Sequence, residues 1–326
     1  MDMVGSYRRR RDVLAGAAAL GFLPSMASSQ DVATQAAPLT EDNEVAALDA
    51  RSNYDRLTVP VTVNGKGPYQ FIVDTGAESS VLSDRVVADL GLGSGVDVIV
   101  EGLARRIPTK AVEVAELGFG AFHRKNLLLP VLPRTMLGCD GYLGLDAIER
   151  TRVTFDFAHK QVRIEQARNM PWETTRSDVS RIKMEGHAGY LRTGECWVDG
   201  VMATAFIDTG AEVSMGNPPL LAALQRKKHV ADTLGQITLV GITGGEIEGQ
   251  VVAVQAIQME DLRFTDGVLA IVDVPNFTIW QVDNKPAFLM GMNFLRQFAS
   301  VAIDYRAREL RFELARLDKE TGRYLA

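Results

Sequence analysis

One short stretch occurs twice in this chain, and it fixes most of what the chain can become. Phe71-Ile72-Val73-Asp74-Thr75-Gly76-Ala77-Glu78 recurs as Phe206-Ile207-Asp208-Thr209-Gly210-Ala211-Glu212, and each Asp-Thr-Gly closes an apolar run. A hairpin signal precedes both copies, Asn64-Gly65 in the first and Asp199-Gly200 in the second. An apolar-glycine element follows both, Tyr142-Leu143-Gly144 and Leu289-Met290-Gly291, and strand-like runs at 153–157 and 301–305 come next. Repetition in the same order, with modest drift in spacing, is what an old duplication leaves. Two copies of one unit, each with a carboxylate at the end of a buried strand, make Asp74 and Asp208 a candidate catalytic pair.

The intervening segments read as mainly β with short helices. Residues 57–63 and 69–73 alternate as paired strands, 83–90 have helical spacing before Gly91, and further strands are expected at 96–100, 109–117 and 126–131. The pair at 153–157 and 161–164 suggests a closing hairpin. In the second half, 218–225 reads as a helix opened by prolines, and strands at 237–240 and 249–257 flank the glycine-rich Gly241-Ile242-Thr243-Gly244-Gly245.

Residues 1–27 look like an export signal. Arg10-Arg11-Asp12-Val13-Leu14 has the twin-arginine pattern, and an Ala/Gly-rich run leads to small residues at Ser25 and Ala27. The apolar run is shorter than the roughly 20 residues a bilayer span needs. Residues 28–52 read as a flexible leader, and the expected location is periplasmic or secreted, with no stable membrane insertion after signal cleavage. The formal net charge of −6 provides no basic field for nucleic acid, so nucleic acid is excluded as a partner. Cys139 and Cys196 fall in different repeats and read as two small buried side chains, with a disulfide in an oxidising periplasm as the alternative.

The paired motifs resemble the aspartic peptidases, and the retropepsin-like branch in particular, because both Asp-Thr-Gly triplets continue Ala-Glu and both are followed downstream by two apolar residues and a glycine. The resemblance runs from about residue 57 to 314. It implies two pseudo-symmetric, closed-barrel-like acid-protease lobes, here placed at 53–168 and 189–316, with an inter-lobe linker at 169–188 and a tail at 317–326. It also implies that Thr75 and Thr209 tie the two loops together, with Gly76 and Gly210 leaving room for main-chain N–H groups to approach the carboxylates.

The chemistry that such a pair performs is peptide hydrolysis with one carboxylate taking a proton from water while the other gives one to the carbonyl. The expected substrate is a peptide or protein, no metal or other cofactor is required, and one chain carrying both aspartates is expected to act as a monomer. Gly241, Gly244 and Gly245 are expected at the tip of a mobile hairpin over the cleft, with a first-lobe counterpart between 98 and 109. Ala77 and Ala211 lack the hydroxyl that would stabilise an ionised aspartate, which favours a working pH nearer neutrality.

Three departures from the pattern leave questions open. The family's retroviral members place an arginine after the downstream glycine; here Leu145 and Met292 stand there, leaving Glu78 and Glu212 facing solvent or substrate. The second catalytic loop, Val213-Ser214-Met215-Gly216-Asn217, is less regular than Ser79-Ser80-Val81-Leu82-Ser83. Asp146 and Asn293 either fill a polar position of the family or cap a turn. A peptide-binding module that kept the cleft without catalysis is the alternative reading, disfavoured by retention of both aspartates.

Overall fold

The computed structural model describes residues 57–167, 179–186, 191–227 and 233–314. The expected export signal, leader and tail, and most of the expected linker, lie outside the described residues.

Each half begins with a hairpin whose turn uses left-handed backbone. Asn64 and Gly65 have φ of 51° and 75°, and Asp199 and Gly200 have φ of 45° and 73°, the two positive values that suit the twist of a two-residue turn. The hairpin strands are Arg56–Val63 with Lys66–Val73, and Arg192–Val198 with Val201–Ile207. The inner strand of each then pairs in parallel with the apolar-glycine element. Leu143 lies opposite Val73, and Met290 opposite Ile207, so the chain leaves both strands directly into Asp-Thr-Gly.

That element is paired on its other side with the strand that follows the Asp-Thr-Gly loop, Val81–Ser83 in one half and Met215–Gly216 in the other. A short helix succeeds each. Ser83 accepts a hydrogen bond from the Val86 N–H to start Asp84–Leu90, and Asn217 accepts one from Leu220 N–H to start Pro218–Arg226. Two long hairpins complete the lobes, Arg106–Phe119 with Phe122–Leu132 and Glu246–Met259 with Leu262–Ile271. The first hairpin returns to the rest of its sheet at Thr62↔Gly118, and the second joins its sheet at Cys196↔Met259 on one strand and Met215↔Ala270 on the other, so the strand order closes on itself in both.

A third sheet joins the halves. Thr151–Asp156 pairs antiparallel with Ser300–Asp304, Thr154 lying opposite Ala302, which occupies the matching place in the second repeat. The register therefore centres on equivalent residues, and the pseudo-twofold axis passes between them. Gln161–Gln166 flanks one side of this pair, Glu309–Glu313 and Val179–Lys183 the other. Residues 179–183, expected within the linker, are thus a strand of this sheet. The fold is two sheet-rich lobes of mainly β structure with short helices. Its main apolar core runs from Val59, Phe71 and Leu143 through Val153 and Val301 into Phe288 and Phe294, continuous across both repeats. Cys139 and Cys196 are both buried free thiols, and burial pushes Cys196 far above the ordinary thiol range.

Candidate active site

The two aspartates are held in the same way. Asp74 N–H donates to Leu143 O at 2.9 Å and Asp208 N–H donates to Met290 O at 3.0 Å, which fixes each residue at the end of its parallel strand pair. Gly76 N–H donates to Asp74 Oδ1 at 2.8 Å, and Gly210 N–H to Asp208 Oδ1 at 2.8 Å. The loops also cross. A Cβ on Gly76 would lie 2.6 Å from the carboxyl carbon of Asp208, and one on Gly210 would lie 2.5 Å from Asp74 Oδ1. Each glycine therefore sits against the other lobe's carboxyl group, which brings Asp74 and Asp208 side by side between the lobes.

Beneath them the threonines interlock. Thr75 N–H donates to Thr209 Oγ1 at 3.1 Å and Thr209 N–H donates to Thr75 Oγ1 at 3.0 Å. Each hydroxyl then donates across the interface, Thr75 to Ile207 O at 3.0 Å and Thr209 to Val73 O at 2.8 Å. Four hydrogen bonds on buried groups thus fix the loops relative to each other.

Both aspartates are buried. Burial raises the pKa of Asp208 well above the ordinary carboxylate value, and the negative charge of Asp74 and a side-chain hydrogen bond with it raise it further. The N–H groups of Gly210 and Ala211 pull the other way. Close carboxylates cannot both ionise cheaply, so the pair holds a proton that belongs to both.

With the paired loops, the crossed glycines and the threonine interlock in place, comparison with protein families is decisive. A family model described as Aspartyl protease matches residues 59–147 and 194–294, which is more than half of the chain and includes both Asp-Thr-Gly loops. The chain belongs to the aspartyl protease family. It is a retropepsin-like member, with the two matched segments corresponding to its two lobes. No curated protein matched the sequence.

In this family member the two Asp-Thr-Gly loops are locked from behind by a second pair of matched groups. Ser80 and Ser214 each stand six residues after their aspartate. Asp146 Oδ1 accepts from Ser80 N–H at 2.9 Å and Ser80 Oγ at 2.6 Å, while Ser80 Oγ accepts from Gly144 N–H at 3.0 Å. In the second lobe Asn293 Oδ1 accepts from Ser214 N–H at 2.9 Å and Ser214 Oγ at 2.6 Å, and Ser214 Oγ accepts from Gly291 N–H at 2.8 Å. Asp146 and Asn293 therefore do not cap their short helices, which have no side-chain cap; they tie the Asp-Thr-Gly loop to the apolar-glycine strand. The irregular sequence of the second loop makes the same bonds as the first. Burial raises Asp146 above the ordinary carboxylate range against the hydrogen bonds from Ser80.

Glu212 pairs with Arg296, Nη to Oε2 at 3.0 Å. The arginine sought directly after the downstream glycine is instead supplied from the far end of the short helix Met292–Leu295, one turn later. Spacing alone hid it, since Met292 occupies the expected place.

The expected tip residues Gly241, Gly244 and Gly245 lie between the strands Thr233–Val240 and Glu246–Met259, and their counterpart is the turn 102–105 between Val96–Glu101 and Arg106–Phe119. The two tips meet. Arg105 Nε donates to Thr243 O at 2.9 Å and Thr243 Oγ1 donates to Arg105 O at 2.9 Å. A Cβ on Gly102 would fall 2.8 Å from Thr243 Cβ, and one on Gly241 would fall 2.9 Å from Leu103 Cβ. Leu103 joins the apolar cluster of the second lobe with Phe206, Ala211 and Leu239, whereas Ile242 joins that of the first with Ile72, Ala77 and Val100. Each tip thus seats its apolar residue in the opposite lobe. Composition pointed to the glycines of one tip, but the residues that make the contact are Leu103, Arg105, Ile242 and Thr243. Among the described residues no group of three or more His, Cys, Asp and Glu side chains is placed to hold a metal ion.

Proposed function

We propose that this protease is an aspartic endopeptidase in which Asp74 and Asp208 activate water. The observation that carries the reading is the crossed placement of each glycine under the other lobe's carboxyl group, which sets two buried carboxylates in contact. In the sharing pair, the ionised member takes a proton from water as the water oxygen bonds to the carbonyl carbon, and the protonated member gives its proton to the carbonyl oxygen. The tetrahedral product then breaks its C–N bond as a proton passes to the leaving amine. Acid and base exchange roles through the cycle, no covalent enzyme adduct forms, and no cofactor takes part. One chain supplies both carboxylates, so a monomer is sufficient.

Substrate enters in this reading when the Arg105–Thr243 contact gives way and the tips part, and their return encloses the extended peptide. The twin-arginine pattern at Arg10-Arg11 supports action in the periplasm or outside the cell. Among the described residues no helix is long and apolar enough to cross a membrane. The test is digestion of a mixture of peptides blocked at both termini, followed by mass spectrometry. New internal termini are expected, and a protein that leaves every blocked peptide intact is not an endopeptidase. Export is tested by replacing Arg10 and Arg11 with Lys; normal export of that precursor refutes the twin-arginine route.

A further inference from the structure

One buried polar group near the pair has no part in the chemistry above. Tyr305 follows the third-sheet strand Ser300–Asp304, its hydroxyl is buried, and it makes no hydrogen bond. A buried hydroxyl without a partner costs on the order of 1–3 kcal/mol, so its retention calls for a reason. The repeat supplies a control: the matching residue in the first half is Phe157, which carries no hydroxyl.

Tyr305 lines a cavity of about 10 Å³ together with Thr75, Ile207, Met184, Leu191, Ile303 and Leu310. That is the space of about one water molecule, for which roughly 10–15 Å³ is needed. Thr75 is the hydroxyl of the interlock beneath the pair, and Ile207 immediately precedes Asp208. The hydroxyl of Thr75 donates to Ile207 O and accepts from Thr209 N–H; the Thr209 hydroxyl, 3.4 Å away, has one proton and gives it to Val73 O at 2.8 Å, which leaves Thr75 a second lone pair. We propose that this cavity is a single-water site through which Tyr305 acts as a positioning residue for the catalytic pair, its hydroxyl donating to a water that in turn donates to Thr75 Oγ1. The inference rests on the peptidase reading and adds to it a support that the first repeat lacks.

Burial first, and then the charges of Asp74 and Asp208, hold the phenol in its neutral form, so the hydroxyl is a fixed dipole within electrostatic reach of the pair. Those two carboxyl groups are the charges that act on it; the other residues lining the cavity are uncharged, and the neighbouring Asp304 is paired with Arg152 at 2.7 Å. A dipole and water that favour the ionised forms lower both ionisations of the pair.

The test begins with the wild-type protein, whose pH profile must first be measured; absence of any cleavage there would count against the peptidase reading and not against this one. Tyr305→Phe keeps the ring and removes the hydroxyl. Its kcat is expected to fall roughly fivefold with KM unchanged, and both limbs of the profile to move up by roughly half a pH unit. Leu191→Phe, which fills the cavity but keeps the phenol, is expected to shift the limbs in the same direction. A Tyr305→Phe profile that superimposes on the wild type overturns the proposal, as does a shift in Tyr305→Phe with none in Leu191→Phe, which would make the water dispensable. A high-resolution crystal structure of the wild type gives an arm independent of either variant: density for one water between Tyr305 Oη and Thr75 Oγ1 is expected, and a dry cavity overturns the proposal.

Discussion

Replacing Thr75 with Val separates the role of its hydroxyl from that of its shape. Valine fills the same volume but leaves two groups unpaired, Ile207 O, which received the Thr75 hydroxyl at 3.0 Å, and Thr209 N–H, which donated to it at 3.0 Å. Thr75 is 5% and Thr209 2% exposed, so water does not readily replace the lost partners. At about 1–3 kcal/mol for each buried group left unsatisfied, the loss is about 2–6 kcal/mol. Thr75→Ser keeps both hydrogen bonds and removes one methyl group, at about 1 kcal/mol. Urea unfolding of the two variants should therefore show a midpoint for Thr75→Val well below that for Thr75→Ser. Activity should fall further in the Val variant, because an ångström of misalignment between the loops costs on the order of 100-fold in rate. Thr209→Val should behave alike, and the double variant should lose less than the two singles added, since the hydroxyls share one interlock. Equal stability of Thr75→Val and Thr75→Ser would refute the reasoning.

Other outcomes follow from the same geometry. Asp146→Asn should keep the loop intact, because Asn293 accepts the same two bonds in the other lobe; it should retain activity, and a large loss would show that the negative charge itself is needed. Since the folded state raises the pKa of Asp146, the wild type loses stability as pH rises from the unfolded value through the folded one, and the Asn variant should be the more stable above that window, with little difference at lower pH. Gly102→Ala pushes a Cβ against Thr243 and should part the tips, raising KM and speeding trypsin cleavage at the exposed Arg105 and Arg106; unchanged trypsin sensitivity would contradict this. The dependence of kcat/KM on pH should be bell-shaped and centred nearer neutrality than in enzymes of this type that work in strong acid, given the raised Asp208 and the alanines at 77 and 211; a maximum in strong acid would count against it.

Much of this was legible because duplication prints the same physical requirement twice. Asp-Thr-Gly at the end of a strand, a two-residue turn before it and an apolar-glycine strand after it are local demands of backbone and burial, and both copies satisfy them. The Ser80–Asp146 and Ser214–Asn293 ties were legible in principle, since the serines recur six residues after their aspartates, but the loop around Ser214 had drifted enough to hide the match. Arg296 was not legible from a rule about adjacent positions, because a helix turn can bring a side chain back to where the neighbouring residue would have been. The contact between the tips was the least accessible: Leu103 and Ile242 are ordinary apolar residues in sequence, and only the approach of two hairpins from different lobes gives each a pocket. Tyr305 carries a signal only as a hydroxyl that its counterpart Phe157 lacks.

The claim that two aspartates from one chain share the work is tested most directly by the turnover of Asp74→Asn and Asp208→Asn against the wild type on one internally cleaved peptide. Both variants should fold, because an amide keeps the oxygen that accepts from Gly76 or Gly210 N–H. Each should lose turnover by several orders of magnitude, since neither can then exchange the proton. Wild-type turnover surviving in either folded variant would contradict the account.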